Sequence, residues 1–301
     1  MLTTLLFLAL GTPGDTAAKP AIERLEVVLS ACAESKVVRT TWLSDRRATV
    51  HTTTNGMALP PYPTHEERHL DRAVEVLECR DGVPQRLRVR YGEAFDKRLD
   101  QDPEPNGEER EAGAPTYTTE KNPLAGRSFL IVQMGESADV LLPEESPASP
   151  ALARLVLEAE CVGGGAVPLP GDTVARAIAA SPREKGVAFE FDALVARELL
   201  GGDETAECAA TFTFLGVERT PEGRTQARFD ARIVVHEEPE GGLARDAELR
   251  GFLLAEPRSG RPLQFEVEGS ERKLGAADDA RNATEIESTG TWRVRRTWNW
   301  R

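Results

Sequence analysis

The sequence predicts a mainly β protein, α+β in detail, made of antiparallel meander sheets in two similar curved-sheet halves linked by short helices. Three observations carry this expectation. Arg86-Leu87-Arg88-Val89-Arg90-Tyr91 alternates charged and apolar residues with the two-residue period of a half-buried strand. Between Ala209 and Trp300, strand-like runs are separated by Gly/Pro turns at hairpin distances, too short for the crossovers that parallel strands need. Apart from the stretch Thr64 to Leu77, helical periodicity is limited to short stretches in the middle of the chain, after Ser149 and after Asp192.

The chain has 301 residues, 40% of them hydrophobic, which is enough for one large or two ordinary domains. Its 37 basic and 50 acidic residues give a net charge of −13, and no long basic block interrupts them, so nucleic acid is excluded as a partner. The apolar run Leu2 to Leu10 falls well short of the ~20 residues that span a bilayer. Its length fits the core of a secretory signal, and Thr16-Ala17-Ala18 supplies small residues for cleavage before Lys19. The region ahead of it has only the α-amine of Met1 for positive charge, and the competing reading is a buried N-terminal strand. Residues 1–18 are thus expected to be a signal peptide. The mature protein is expected to be extracytoplasmic, periplasmic or secreted, without a transmembrane segment.

Cysteine usage agrees with export. Cys32 and Cys79 share a spacing of 47 residues with Cys161 and Cys208. No C-x-x-C pair suggests a zinc ribbon or a thioredoxin-type site. Of the three connectivities, one bridge within each half is favoured, each worth ~4 kcal/mol by chain entropy. The other reading is buried free thiols.

The N-terminal half, residues 19–148, begins with an alternation of Val27, Leu29 and Ala31, followed by a second extended run from Lys36 to Leu43. The turn signal Arg80-Asp81-Gly82 precedes the Arg86 to Tyr91 strand and makes a hairpin if residues 72–79 are also extended. Residues 97–123 lose periodicity and collect Asp, Glu, Pro and Gly, which predicts a mobile acidic loop. Ser128 to Met134 is short and apolar, as a buried strand would be.

The C-terminal half, residues 149–301, opens with the helices. Ser149-Pro150 supplies an N-cap and first-turn proline, Leu152, Leu155, Val156 and Ala159 share a helical face, and Gly163 to Gly165 stop it. Asp192 caps a second helix that runs to Leu200 and ends at Gly201-Gly202. Then come the meander strands. In the last of them Trp292, Trp298 and Trp300 share one face, which is either the closing wall of the core or an aromatic lining for a ligand groove. Phe212, Phe214, Phe252 and Phe265 are the further aromatic candidates for such a groove.

The phrase from Leu249 to Gly269, with Pro123-Leu-Ala-Gly-Arg-Ser-Phe129 and Pro168-Leu-Pro-Gly-Asp-Thr173, resembles uncharacterised secreted bacterial β-rich proteins. Those proteins have two curved-sheet halves like those of lipoprotein carriers. The resemblance implies an extracytoplasmic pair of half-barrels with no assigned activity.

One stretch carries the residue types of catalysis. His65-Glu66-Glu67-Arg68-His69 matches H-E-x-x-H and resembles the zincin metallopeptidases, which implies His65 and His69 as zinc ligands and Glu66 as general base. A helix can be drawn here, with Thr64 and Glu67 as a capping box and Leu70, Ala73, Val74 and Leu77 at helical spacing. Against it, the intervening positions are charged, Pro60-Pro61-Tyr62-Pro63 denies a helical lead-in, and no distant third ligand is identifiable. If the segment is extended, the two histidines need not converge.

The function expected from these readings is a non-catalytic envelope or extracellular binding module whose partner is an apolar ligand or another envelope protein, with no cofactor. The alternatives are a zinc-dependent hydrolase using His65, Glu66 and His69, and a structural envelope component without a ligand.

Overall fold

The computed structural model describes residues 24–29, 36–99, 115–135, 137–160, 168–201, 207–238, 243–278 and 283–301. The expected signal segment 1–18, Cys32, Cys161, the 163–165 glycines and residues 100–114 of the acidic stretch lie outside the described residues.

In chain order the strands and helices are β1 Arg24–Leu25, β2 Val37–Thr54, β3 Met57–Ala58, β4 Tyr62–Arg80, β5 Val83–Leu99, β6 Tyr117–Lys121, β7 Ser128–Met134, β8 Ser137–Leu141, α1 Pro150–Ala159, α2 Asp172–Ala179, β9 Arg183–Glu184, β10 Ala188–Phe191, α3 Ala193–Leu200, β11 Glu207–Arg219, β12 Thr225–Glu237, β13 Ala244–Ala255, β14 Pro262–Asp278 and β15 Ala283–Trp300. Strands β1 and β9 pair with each other. The rest form one sheet in the order β10-β11-β12-β13-β14-β15-β2-β4-β5-β7-β8, with β3 added to β2 and β6 to β5. Neighbours run antiparallel, so the protein is mainly β as its sequence predicts.

The meander of β11 to β15 follows chain order, as hairpin-length turns require. The two halves of the sequence then meet inside the sheet. The last strand, β15, lies along β2 from Trp300 opposite Val38 to Thr284 opposite Thr54. On the other side of β2 the β4–β5 hairpin turns at Asp81 (φ 50) and Gly82 (φ 76). That left-handed pair is the turn chemistry that matches strand twist.

The two helices read from the sequence start where their caps stand. Ser149 Oγ accepts from the Leu152 N–H ahead of α1, and the Asp192 carboxylate accepts from the Val195 N–H ahead of α3, which ends at Gly201. Helix α2 follows Gly171 and has no side-chain cap, so no residue announces it in the sequence. These helices do more than link. Val174 and Ile178 of α2 and Val195 and Leu199 of α3 join Phe212, Phe214, Phe229, Phe265 and Trp292 in one buried core. A second core gathers Val74, Val76, Leu87, Val89, Phe129 and Ile131 under Val156 of α1.

Two local expectations are corrected. Of the extended run expected from about Glu23, the described residues 24–29 form strand only in β1, and Val28, beyond it, is exposed. The aperiodic stretch 97–123 contains order at both ends: β5 runs to Leu99, and β6 pairs with it from Leu99 opposite Tyr117 to Phe95 opposite Lys121. Paired backbone overrides polar composition there, because a sheet edge satisfies main-chain groups whatever the side chains are. No described helix is long and apolar enough to cross a membrane.

Candidate functional site

The H-E-x-x-H segment lies within β4 and is extended, paired on one side with β2 and on the other with β5. A strand has period two, so Glu66 projects to the opposite sheet face from His65 and His69. The two histidines share a face but stand about 13 Å apart along the strand at ~3.3 Å per residue. His65 is held by Asp45 (Nε2 to Oδ1, 3.0 Å) and by the Tyr117 hydroxyl (3.1 Å). His69 stacks on Phe95. The structure therefore does not bring His65, Glu66 and His69 together, and the zincin arrangement is overturned by backbone geometry.

Glu66 instead belongs to a charged trough on the core-facing side of the sheet, beyond the end of the apolar core. Register builds it. Trp292 of β15 lies opposite Arg46 of β2, Arg46 opposite Glu66 of β4, and Glu66 opposite Arg98 of β5. Two layers further along the same face, Arg245 of β13 lies opposite Lys273 of β14, and Lys273 opposite Ser288 of β15. The half-open cavity measures about 410 Å³, lined by Ala48, Thr64, Ser288, Leu99 and His65 and by the charged Arg46, Glu66, Arg98, Glu271 and Lys273. Gly290, between Glu271 and Ala48 in the ladder, lets β15 and β2 approach closely beside it, since a Cβ there would lie 2.0 Å from the Arg47 carbonyl oxygen.

Two glutamates organise the charges. Glu66 meets Arg68 at 3.0 Å, Arg98 at 3.7 Å and Arg46 at 3.9 Å. Burial pushes its carboxyl up, but Arg68, Arg46 and Arg98 together outweigh that and hold it below the usual carboxylate range. Glu271 is buried and meets Arg245 at 2.6 Å, Arg46 at 3.6 Å and Lys273 at 3.9 Å. The Lys273 ammonium is pushed down by burial, with repulsion from Arg46 and Arg245 working against attraction from Glu271 and Glu66. Arg46 and Arg245 also stack on Trp292, each 4.4 Å from its ring centre. Asp96 reaches Arg68 and Glu237 reaches Arg245, both at 3.8 Å. Five cations thus share four carboxylates in a chain that is strongly acidic overall.

The aromatic groove candidates sit elsewhere. Trp292 is fully buried, with its Nε1 donating to Ser44 Oγ at 2.9 Å, and Trp298 is 4% exposed. Both form core wall, as do Phe212, Phe214 and Phe265. Trp300 is half-buried, its Nε1 donating to the Pro262 carbonyl at 2.8 Å and its ring covered by Arg261 and Lys36. Phe252 lies on the outer face beneath Arg228. An open notch of about 1150 Å³ near the chain end is lined by Trp298 and Trp300 together with Gln226, Leu254, Gln264, Thr297 and Asn299. Trp298 and Trp300 thus border this notch, whereas Trp292 lies in the core packed by α2 and α3. Cys79 and Cys208 pack against different cores, the second and the first respectively.

Arg46, Arg98, Arg245, Glu271 and Lys273 belong to no site motif in the sequence. Their signal is strand parity in β14, where the core-facing positions turn from apolar Phe265 and Val267 to charged Glu271 and Lys273 as the trough begins.

No family model matches the chain, and no curated protein matches it. Among solved structures, a chain described for lipid–protein interactions in lipovitellin is similar with a TM-score of 0.41 and 10% identity. The match covers 89% of this chain and 25% of that one, so this chain spans a quarter of the length of the structure it matches.

Proposed function

We propose that the protein is a non-catalytic binding module that acts outside the cytoplasm and holds a small anionic ligand in the charged trough. The supporting observation is the cavity itself: Arg46, Arg98 and Lys273 converge on it from three strands, and its size lies within the range of small-ligand sites. Its carboxylates are engaged by guanidinium groups, so neither Glu66 nor Glu271 is placed to take a proton from a substrate. An anion entering the cavity would offset the mutual repulsion of Lys273, Arg46 and Arg245.

Calorimetric titration with inorganic phosphate and with succinate at low salt tests the proposal. Saturable binding is expected, accompanied by a change in tryptophan emission because Trp292 stacks on Arg46 and Arg245. Arg98→Met and Lys273→Met should each weaken it about tenfold, the value of a hydrogen bond to a charged group. Absence of saturation with both anions, or affinities unmoved in both variants, would remove the trough as the site.

Export and disulfides belong to the same proposal. Val37 lies opposite Glu75 in the β2–β4 ladder, four residues from Cys79, and Cys32 is five residues before Val37. That is within chain reach of a bridge. Peptide mapping of unreduced protein is expected to recover a Cys32–Cys79 peptide, and N-terminal sequencing of exported protein should begin at Lys19. Recovery of all four thiols as unpaired would contradict the bridge.

A further inference from the structure

We propose that His69, Asp71 and Glu93 form a divalent-cation site, with zinc as the fitting ion, on the outer face of the sheet. This inference is independent of the trough, which opens on the other face. His69 and Asp71 are alternate residues of β4 and so point the same way, and Glu93 comes from the neighbouring β5. One ligand atom from each of the three residues falls within 4.8 Å of the others.

The local backbone explains how Glu93 joins them. Leu70 pairs with Ala94 and Arg72 with Tyr91, so the single residue Asp71 faces two, Gly92 and Glu93. This is a β-bulge, which re-aims side chains. Tyr91 and Ala94 are both buried on the core side, leaving Glu93 turned outward. Gly92 gives Asp71 room, because a Cβ there would stand 3.3 Å from the Asp71 Cβ.

The donor atoms behave as ligands waiting for an acceptor of their lone pairs. His69 Nε2 and Asp71 Oδ1 are shielded from solvent and make no hydrogen bond within the protein. Such shielded groups are costly unless water or an ion satisfies them. His69 Nε2 and Asp71 Oδ2 are 3.3 Å apart. Two ligands each about 2.1 Å from zinc and at a tetrahedral angle are separated by about that distance. Stacking on Phe95, with ring centres 5.2 Å apart and planes 12° from parallel, fixes the imidazole orientation. One imidazole nitrogen with two carboxylates suits zinc, and Glu93 is exposed enough to leave the fourth position to water.

Equilibrium dialysis of the metal-free full chain against zinc chloride tests this. One equivalent of zinc is expected to be retained. His69→Gln and Asp71→Asn should each lower the affinity at least about 100-fold, the upper end of what even outer-shell partners cost. His65→Ala should leave stoichiometry unchanged, which separates this site from the H-E-x-x-H pairing. Circular dichroism of each variant checks that the sheet survives, and Glu93→Gln, at an exposed position, supplies a variant with no folding burden. Failure to retain zinc at millimolar concentration, retention unaffected by His69→Gln with intact fold, or loss in His65→Ala would each overturn the assignment.

Discussion

Glu160→Gln is expected to destabilise the protein by about 3–5 kcal/mol, the cost of stranding one member of a buried ion pair. Arg72 of β4 and Glu160 at the C-terminal end of α1 are each 3% exposed and 2.7 Å apart. The Tyr91 hydroxyl donates to the same carboxylate at 2.8 Å, and Arg72 Nε donates to Thr40 Oγ at 3.1 Å. Arg72 also donates to the Ala159 carbonyl at the end of α1. A carboxylate at a helix C-terminus is unfavourable by itself, and the guanidinium offsets both that dipole and the desolvation of the pair. Because Tyr91 belongs to the second core and Thr40 lies on β2, this one pair links the helix to the strands at the centre of the sheet. Urea denaturation should show Arg72→Met losing a similar amount. The double variant Arg72→Met/Glu160→Leu should lose less than the sum of the singles, since no charge is then left buried alone. Additive losses would mean that the two side chains act separately.

Much of the fold could be read in the sequence where local chemistry and tertiary pairing agree. The β4–β5 turn at Asp81-Gly82, the caps at Ser149 and Asp192, and the meander from β11 to β15 all follow from short-range rules. Strand β4 is the instructive failure of such rules. Thr64 and Glu67 satisfy a capping box, and Leu70, Ala73, Val74 and Leu77 fit a helix, yet the segment is a strand because β2 and β5 hydrogen-bond it on both sides. Its alternation is hard to see because the trough end has charge on both faces: Glu66 and Arg68 on one, His65 and Glu67 on the other. The sites were less legible still. The trough draws Arg46, Glu66, Arg98, Arg245 and Lys273 from five strands spread over most of the chain. The His69, Asp71 and Glu93 cluster depends on a bulge that no residue pattern announces.

Asp172→Asn is expected to stabilise the protein at neutral pH and to do nothing at about pH 4. Asp172 opens α2, where its carboxyl is raised from 3.8 to about 6 by burial and by the nearby Glu198, against the pull of Arg176. A helix N-terminus ordinarily favours a carboxylate, so here desolvation wins over the dipole. Glu198 is itself 5% exposed and accepts from the Gly171 N–H immediately before the helix, while Arg296 bonds the Glu198 main-chain carbonyl. A carboxyl with a raised native pKa binds its proton more tightly in the folded state. Its contribution is fully present below about pH 4 and is lost as pH climbs through about 6. The shift corresponds to ~3 kcal/mol at most, an upper figure because the half-buried side chain keeps some solvent contact. Glu66, Glu248 and Glu266 have lowered pKa values and shift stability the other way. The total curve therefore mixes both signs, and the informative quantity is the difference between wild type and Asp172→Asn. Measured by urea denaturation, that difference should grow from near zero at about pH 4 to its full value by about pH 7.5. A difference that stays constant across the range would place the strain of α2 in packing rather than in the Asp172 proton.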